Sequence, residues 1–293
     1  MLDYSLPEWL FFFYIYCIIG WIWECTYCSI IEKKLINRGF MRGPVIPIYG
    51  CGACTMLVAS IPFSGNYLAI FLSGMICASI LEYCTGALME KLFNVRYWDY
   101  SNFKINLNGY ICLYASVGWG FATIITTQFV HKPVEKLAQM IPYKTLEMIV
   151  FICTFIFAVD FALSFKAAID LKNILIKMDA MKAEVLRMQK RVDVILAFAG
   201  DEKDQQLLKF DELVKSVENK LIQAKGKIEL SEEVKEEIAL LKAKISLMKD
   251  RVAESIPFRD FMSRAIIKGN PGIVSSKFKE SLEELKQYVN KTK

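Results

Sequence analysis

The loop between the first two apolar segments reads Arg38-Gly39-Phe40-Met41-Arg42-Gly43-Pro44-Val45-Ile46-Pro47-Ile48-Tyr49-Gly50. Proline suits the first turn of a helix, because its missing N–H would have no intrahelical partner there. We therefore expect a helix to open at Gly43-Pro44, with unpaired N–H groups beside Arg42. Such groups favour an anion, so the loop predicts an anion-binding site at a membrane face.

Composition divides the 293-residue chain into an apolar part and a charged part. Hydrophobic residues make up 54% of the sequence, which is typical of a membrane protein. Residues 1–165 carry ten basic and ten acidic side chains, and the remaining residues carry 26 and 21. We therefore predict a membrane domain at 1–168 and a soluble tail at 169–293. A net charge of +5 spread over both signs argues against a nucleic acid partner and agrees with contact to membrane lipids.

Five apolar segments are each long enough to cross a bilayer core of about 30 Å. The expected spans are 7–31, 44–61, 67–88, 109–130 and 144–168. Lysine and arginine are concentrated after the first, third and fifth spans, although the loop at 131–144 also holds three lysines. By the positive-inside rule, the N-terminus lies outside and the tail is cytoplasmic.

The sequence gives no indication of a disulfide framework, a metal site or a cofactor. Nine cysteines lie in or beside apolar segments, and their odd number does not favour disulfide pairing. The two C-x-x-C pairs have no histidine near them, since His131 is the single histidine. We interpret these cysteines as small residues that pack between helices.

Spans one and two resemble spans three and four. Glu24 precedes Glu32 by eight residues, and Glu82 precedes Glu90 by the same spacing, with similar Asn and Arg positions after each pair. Residues 43–49 then align with residues 108–114. The pattern predicts two tandem helix hairpins in the same orientation, as in some transporters, followed by one further span.

Three acidic residues lie inside apolar spans, namely Glu24, Glu82 and Asp160. Each is about 24 Å along its helix from the outer end, at a rise of about 1.5 Å per residue. A buried carboxylate needs a partner, and Arg42 and Arg96 are the nearest candidates in the sequence. Two hypotheses remain open: a polar, cytoplasm-facing vestibule, or structural ion pairs that lock helix ends to loops. The candidate substrate-binding residues are Glu24, Arg42, Gly43, Pro44, Tyr49, Glu82, Trp98, Asp99, Asn108 and Asp160.

The tail shows apolar residues at alternating spacings of three and four, which is a heptad pattern. The first run comprises Leu171, Ile174, Met178, Met181, Val185, Met188, Val192 and Ile195. Two further runs follow between residues 207 and 252, and an amphipathic helix follows the turn at Asn270-Pro271-Gly272. A short antiparallel bundle and a dimeric coiled coil both agree with this pattern.

Several motifs together resemble the CmpB-type family of bacterial membrane proteins, which is labelled a putative ABC transporter of type IV. They are Gly20-Trp21 with Glu24, Arg42-Gly43-Pro44, Pro47-Ile48-Tyr49-Gly50, Glu82-Tyr83, Glu90-Lys91, Trp98-Asp99-Tyr100, Asn108-Gly109, Cys112-Leu113 and Trp119-Gly120. The resemblance covers roughly residues 5–175 and implies a plasma-membrane transporter. The chain has no P-loop pattern, so an ATPase would be a separate subunit.

Three functions therefore remain as hypotheses. The first is an all-α, five-span permease-like subunit of unknown substrate, with a cytoplasmic helical tail that forms a homo-oligomer. The second is a membrane enzyme acting on lipid head groups at the cytoplasmic leaflet, with Glu24 and Glu82 as acid/base or metal-binding groups. The third is a membrane scaffold that works through its coiled-coil tail.

Overall fold

The computed structural model describes residues 4–197 and 261–291, together with four isolated positions between these ranges. This part of the chain is mostly helical. The helices are α1 (Leu6–Glu32), α2 (Pro47–Ser60), α3 (Tyr67–Phe93), α4 (Leu113–Ile125), α5 (His131–Met140), α6 (Tyr143–Ala197), α7 (Phe261–Gly269) and α8 (Lys279–Lys291). Two short antiparallel strands, β1 (Asn106–Leu107) and β2 (Ile111–Cys112), precede α4.

Three of the described helices are long and apolar enough to cross a membrane: α1, α3 and residues Tyr143–Met188 of α6. The second apolar segment is shorter, because α2 and the following 3-10 turn end at Phe63. A π-helical segment, Thr126–Val130, joins α4 directly to α5. The chain is thus a helical membrane protein, and the count of five spans stays a prediction.

Helix lengths agree with the predicted repeat. The helices α1 and α3 each contain 27 residues, and they are followed by α2 with 14 residues and α4 with 13. Both long helices end in a left-handed residue, Lys33 at φ 51° and Asn94 at φ 56°. Contacts link α1 to α2, α2 to α3 and α3 to α4, so that α2 packs between the two long helices.

Three boundaries differ from the sequence-based expectation. The second helix begins at Pro47 instead of Pro44, with Ile46 as its extended N-cap. The fourth apolar helix begins at Leu113 instead of Gly109, because residues 106–112 form the paired strands. The expected loop after residue 130 is the helix α5, in which the buried His131 ring bonds to the hydroxyls of Tyr4 and Tyr16.

The chain divides into two compact units. The first comprises Met1–Asp170 and Phe261–Lys277, and the second comprises Leu171–Asp260 and Phe278–Lys293. Residues 261–277, which the sequence analysis placed in the tail, therefore group with the apolar helices. The predicted domain boundary at residue 168 remains a prediction.

In the second unit, α8 pairs with α6. The buried Lys182 of α6 donates to Glu280 at 2.6 Å and to Glu284 at 3.0 Å. Leu171, Val185 and Met188 of the first heptad run are buried, and so are Phe278, Leu282, Leu285 and Val289 near or within α8. The pairing favours a folded-back arrangement for this part of the tail. The heptad runs predicted between 207 and 252 lie outside the described residues.

Candidate functional site

The carboxylate of Glu24 is the centre of the first polar cluster. It accepts a hydrogen bond of 2.7 Å from the hydroxyl of Tyr49, the third residue of α2. The guanidinium of Arg38 lies beside it, with Nε 3.6 Å from Oε2. Both side chains are mostly buried, so each charge is compensated mainly by the other and not by water. The sequence predicts Glu24 and Tyr49 as site residues with Arg42 as the nearby cation, whereas Arg38 lies beside Glu24 in the structure.

Arg38 connects three segments of the first unit. Besides Glu24, its guanidinium donates to the backbone oxygen of Tyr97 at 2.9 Å and to Oδ1 of Asn270 at 2.8 Å. Arg42 is exposed, and its backbone oxygen accepts from Asn37. The sequence contains a pattern that indicates Arg38 as the partner of Glu24. Arg38 follows Glu24 by fourteen residues, just as Arg96 follows Glu82.

Glu82 is more deeply buried than Glu24 and has different partners. Its carboxylate accepts from the indole of Trp119 at 2.8 Å and from the hydroxyl of Tyr100 at 3.1 Å. Burial raises the pKa of Tyr100, and the neighbouring Glu82 raises it further, so Tyr100 stays protonated and able to donate. Trp119 also meets Tyr49 edge to face at 6.2 Å, which links the Glu82 cluster to the Glu24 cluster.

The predicted anion position at Gly43-Pro44 is filled by a side chain of the protein itself. Oδ2 of Asp160 in α6 accepts a hydrogen bond of 2.9 Å from the backbone N–H of Gly43. Because the helix opens at Pro47, this donor belongs to the loop and not to a helix terminus. Gly43 and Asp160 thus meet, while Pro44 is exposed, and the choice between a vestibule and structural pairing stays a prediction.

Arg96 is the centre of a further polar cluster, in the loop after α3. It binds Glu90 at 2.6 Å, lies 3.6 Å from Asp99, and packs over the ring of Tyr110 at 4.7 Å. Its Nη1 also donates to the backbone oxygen of Asn108. Asp99 and Asn108 therefore hold the loop around Arg96, and they do not belong to the Glu24 cluster.

The segment Gly269–Ser276 joins the loop after α1 to the loop after α3. Asn270 bonds to Arg38 and donates to the backbone oxygen of Gly39, so it fixes the loop after α1. Val274 exchanges both backbone hydrogen bonds with Arg96 in the loop after α3. Ser276 donates to Glu90 at 2.6 Å. We call this segment the strap, and it contains the turn that the sequence predicts at Asn270-Pro271-Gly272.

A cavity of about 260 Å³ lies next to the Glu24 cluster. Its apolar wall includes Phe40, Ile48, Leu92, Phe93, Phe161 and Phe165. Its polar lining includes Glu24, Arg38, Tyr49, Tyr97, Trp98 and Asn270. Among the residues named from the sequence, Glu24, Tyr49 and Trp98 line the cavity, whereas Arg42, Gly43, Pro44, Glu82, Asp99, Asn108 and Asp160 lie elsewhere.

The apolar helices define the class, a helical membrane protein, and a cavity lies between these helices. The family model described as "Putative ABC-transporter type IV" matches residues 11–165. Because the match covers more than half of the sequence, the chain belongs to that family, as its motifs had indicated. Comparisons with curated proteins and with solved structures found no match.

Proposed function

We propose that the chain is the permease-like subunit of a transporter in the bacterial plasma membrane, and that the cavity is its substrate site. The observation that carries the proposal is that several helices line the cavity. The wall contains residues of α1, α2, α3 and α6, and therefore of both predicted repeats. Transporters built from repeats bind substrate between them, near intramembrane polar groups such as Glu24.

The remaining architecture follows from this assignment. The chain forms five spans, with α2 as the second and the continuous segment from α4 to α5 as the fourth, and the other four spans line the cavity. The N-terminus lies outside, and the part of the chain after residue 168 is cytoplasmic and provides the contact of a homo-oligomer. Membrane lipids contact the outer face of α6, where Phe151 and Phe155 are exposed. The family supports a separate ATPase subunit as the partner that supplies energy.

Filling the cavity should change ATP hydrolysis by a complex purified in mild detergent. Thr85 lines the cavity from α3, so Thr85→Trp places a large ring into the substrate space. Ile76→Trp on the exposed side of the same helix is the matched control. We expect a co-purified ATPase whose hydrolysis rate changes at least about twofold in Thr85→Trp and stays unchanged in Ile76→Trp. A preparation without ATPase, or equal rates in both variants, would contradict the proposal.

Orientation is tested separately at the exposed turn between α2 and α3. Ser64 lies there, and a single cysteine at this position in a cysteine-free background should react with an impermeant maleimide added to intact cells. A cysteine at Lys104, in the loop after α3, should react only after the cells are opened. The reverse pattern of labelling would place the N-terminus in the cytoplasm.

A further inference from the structure

Glu82 is the most deeply buried of the three acidic residues inside apolar segments. It is 5% exposed, whereas Glu24 and Asp160 are both more exposed. It lies in α3, one of the helices that are long and apolar enough to cross a membrane. An ionised carboxylate at such a position is unfavourable unless a cation or water compensates its charge.

The partners of Glu82 are neutral groups. Its Oε2 accepts from the indole N–H of Trp119 at 2.8 Å, and its Oε1 lies 3.1 Å from the hydroxyl of Tyr100. Among the residues that the structure describes, no lysine, arginine or histidine forms an ion pair with Glu82. The two hydrogen bonds satisfy the oxygen atoms, but an ionised Glu82 would keep an uncompensated charge.

The arginine that the sequence spacing would assign to Glu82 is engaged elsewhere. Arg38 follows Glu24 by fourteen residues and lies 3.6 Å from its carboxylate. Arg96 follows Glu82 at the same spacing, but its guanidinium binds Glu90 at 2.6 Å. The charge of Glu24 is therefore paired, and a charge on Glu82 would not be.

The same distances fit a neutral carboxyl group. A hydroxyl group both donates and accepts, so the O–H of a protonated Glu82 has an acceptor in the oxygen of Tyr100. The other oxygen, Oε2, is then a carbonyl oxygen and still accepts from Trp119. The neutral acid thus keeps both hydrogen bonds and places no charge in the apolar helix.

The titratable groups around Glu82 do not supply a positive charge. They are Tyr100 and Cys112 near the start of α4, Tyr49 of α2 and, bonded to Tyr49, Glu24 of α1. Phenols ordinarily titrate at about pH 10 and thiols at about pH 8.5, so these groups are neutral at neutral pH. Burial raises the pKa of Tyr100 further. The remaining group, Glu24, is negative, and a second negative charge nearby disfavours ionisation of Glu82.

We propose that Glu82 is a proton-binding site of the membrane helices, in which the neutral carboxyl group donates to the hydroxyl of Tyr100. A proton needs no opening of molecular size, because it moves along hydrogen-bonded groups. Its release leaves an uncompensated charge, so release is favoured by a conformation that brings a cation or water to the carboxylate. Proton binding is therefore linked to the conformation around Tyr100 and Trp119. This site goes beyond the proposed function and does not depend on what the cavity binds.

Infrared spectroscopy of the purified full-length protein, in a detergent without carbonyl groups, tests the site. A neutral carboxyl group has a C=O stretch at higher frequency than the bands of a carboxylate. At neutral pH we expect this band in the wild-type protein, and we expect it to disappear only as the pH becomes alkaline. Labelling with glutamate that carries 13C in the side-chain carboxyl group should shift the band, which excludes aspartate and lipid as its source.

Two pairs of variants assign the band to Glu82. Glu82→Gln should remove the intensity of one carboxyl group, while Glu24→Gln, the matched control, should leave the band because Glu24 pairs with Arg38. Tyr100→Phe removes the acceptor and keeps the ring, so it should move the band to higher frequency. Tyr97→Phe is its matched control, because within the described residues the Tyr97 hydroxyl has no hydrogen-bond partner, and it should leave the band in place.

The pH dependence of unfolding provides a second measurement. The folded protein holds the proton, whereas the unfolded chain, in which glutamate titrates at about pH 4.3, has released it at neutral pH. Because the unfolded state binds fewer protons, stability falls as the pH rises from about 5 to the pH at which the infrared band disappears. Relative to Glu82→Gln, the unfolding constant of the wild type should rise by about tenfold per pH unit in this window. Relative to Glu24→Gln, it should not change with pH.

Several outcomes would overturn the proton site. The first is a wild-type spectrum at neutral pH without a neutral carboxyl band that shifts on 13C-glutamate labelling, and the second is a band that persists in Glu82→Gln. A band that does not move in Tyr100→Phe would overturn the bond to Tyr100. If Glu82→Gln fails to fold, the labelled wild-type protein and Tyr100→Phe still distinguish a neutral acid from a carboxylate.

Discussion

Replacement of Arg38 by alanine is expected to lower the free energy of unfolding by about 3 kcal/mol. The substitution leaves the mostly buried carboxylate of Glu24 without its cation, and it also removes the bonds to Tyr97 and Asn270. Removing one member of a buried pair is unfavourable because the remaining charge stays desolvated. Denaturation in mixed detergent micelles measures this change.

The double variant separates the charge effect from the loss of packing. Glu24→Gln removes the negative charge and keeps an oxygen that accepts from Tyr49, so it should restore part of the stability lost in Arg38→Ala. Arg96→Ala is the matched control, because Arg96 follows Glu82 at the same spacing as Arg38 follows Glu24 but pairs with Glu90. Glu24→Gln should not rescue Arg96→Ala. Strictly additive losses for Arg38→Ala and Glu24→Gln would show that the two residues are not coupled.

The sequence was sufficient for the helical class and for part of the cluster around Glu24. Apolar segments of about 20 residues predict membrane helices directly, because the bilayer fixes their length. An acidic residue inside such a segment must find a partner, so Glu24, Glu82 and Asp160 were recognisable as sites of polar contact. The pairing of Asp160 with Gly43 agrees with that reasoning.

The partners themselves were less predictable. The helix could begin at Pro44 or at Pro47, since both prolines suit a first turn, and this choice changes which arginine lies beside Glu24. The strap left no periodic pattern, because Asn270, Ser275 and Ser276 bind backbone and side-chain groups through contacts far apart in the sequence. Within the described residues the buried hydroxyl of Tyr97 has no hydrogen-bond partner, a result of the packing around it that one sequence does not reveal.

Replacement of Gly74 by alanine is expected to lower the free energy of unfolding by about 3 kcal/mol, the upper part of the range for overpacking. A Cβ atom at Gly74 would lie 2.0 Å from Oγ1 and 2.4 Å from Cβ of the fully buried Thr123. The helices α3 and α4 are in contact at this point, so one of them must move. Gly118→Ala in α4 is the matched control, because a Cβ atom there meets nothing within 4 Å. It should leave the stability unchanged or raise it by up to about 1 kcal/mol, since alanine favours a helix.

The clash at Gly74 should also reach the polar cluster of Glu82. Thr123 donates to the backbone oxygen of Trp119, and the Trp119 indole donates to the carboxylate of Glu82. Displacement of Thr123 should therefore move the indole that binds Glu82. Thr123→Gly removes the clashing atoms, and its intrinsic helix cost is about 0.3 kcal/mol, the difference between glycine and threonine. Combined with Gly74→Ala, it should restore a large part of the lost stability, measured by denaturation in mixed micelles together with Trp fluorescence. If the double variant loses as much stability as the two single variants together, Gly74 and Thr123 do not set the distance between α3 and α4.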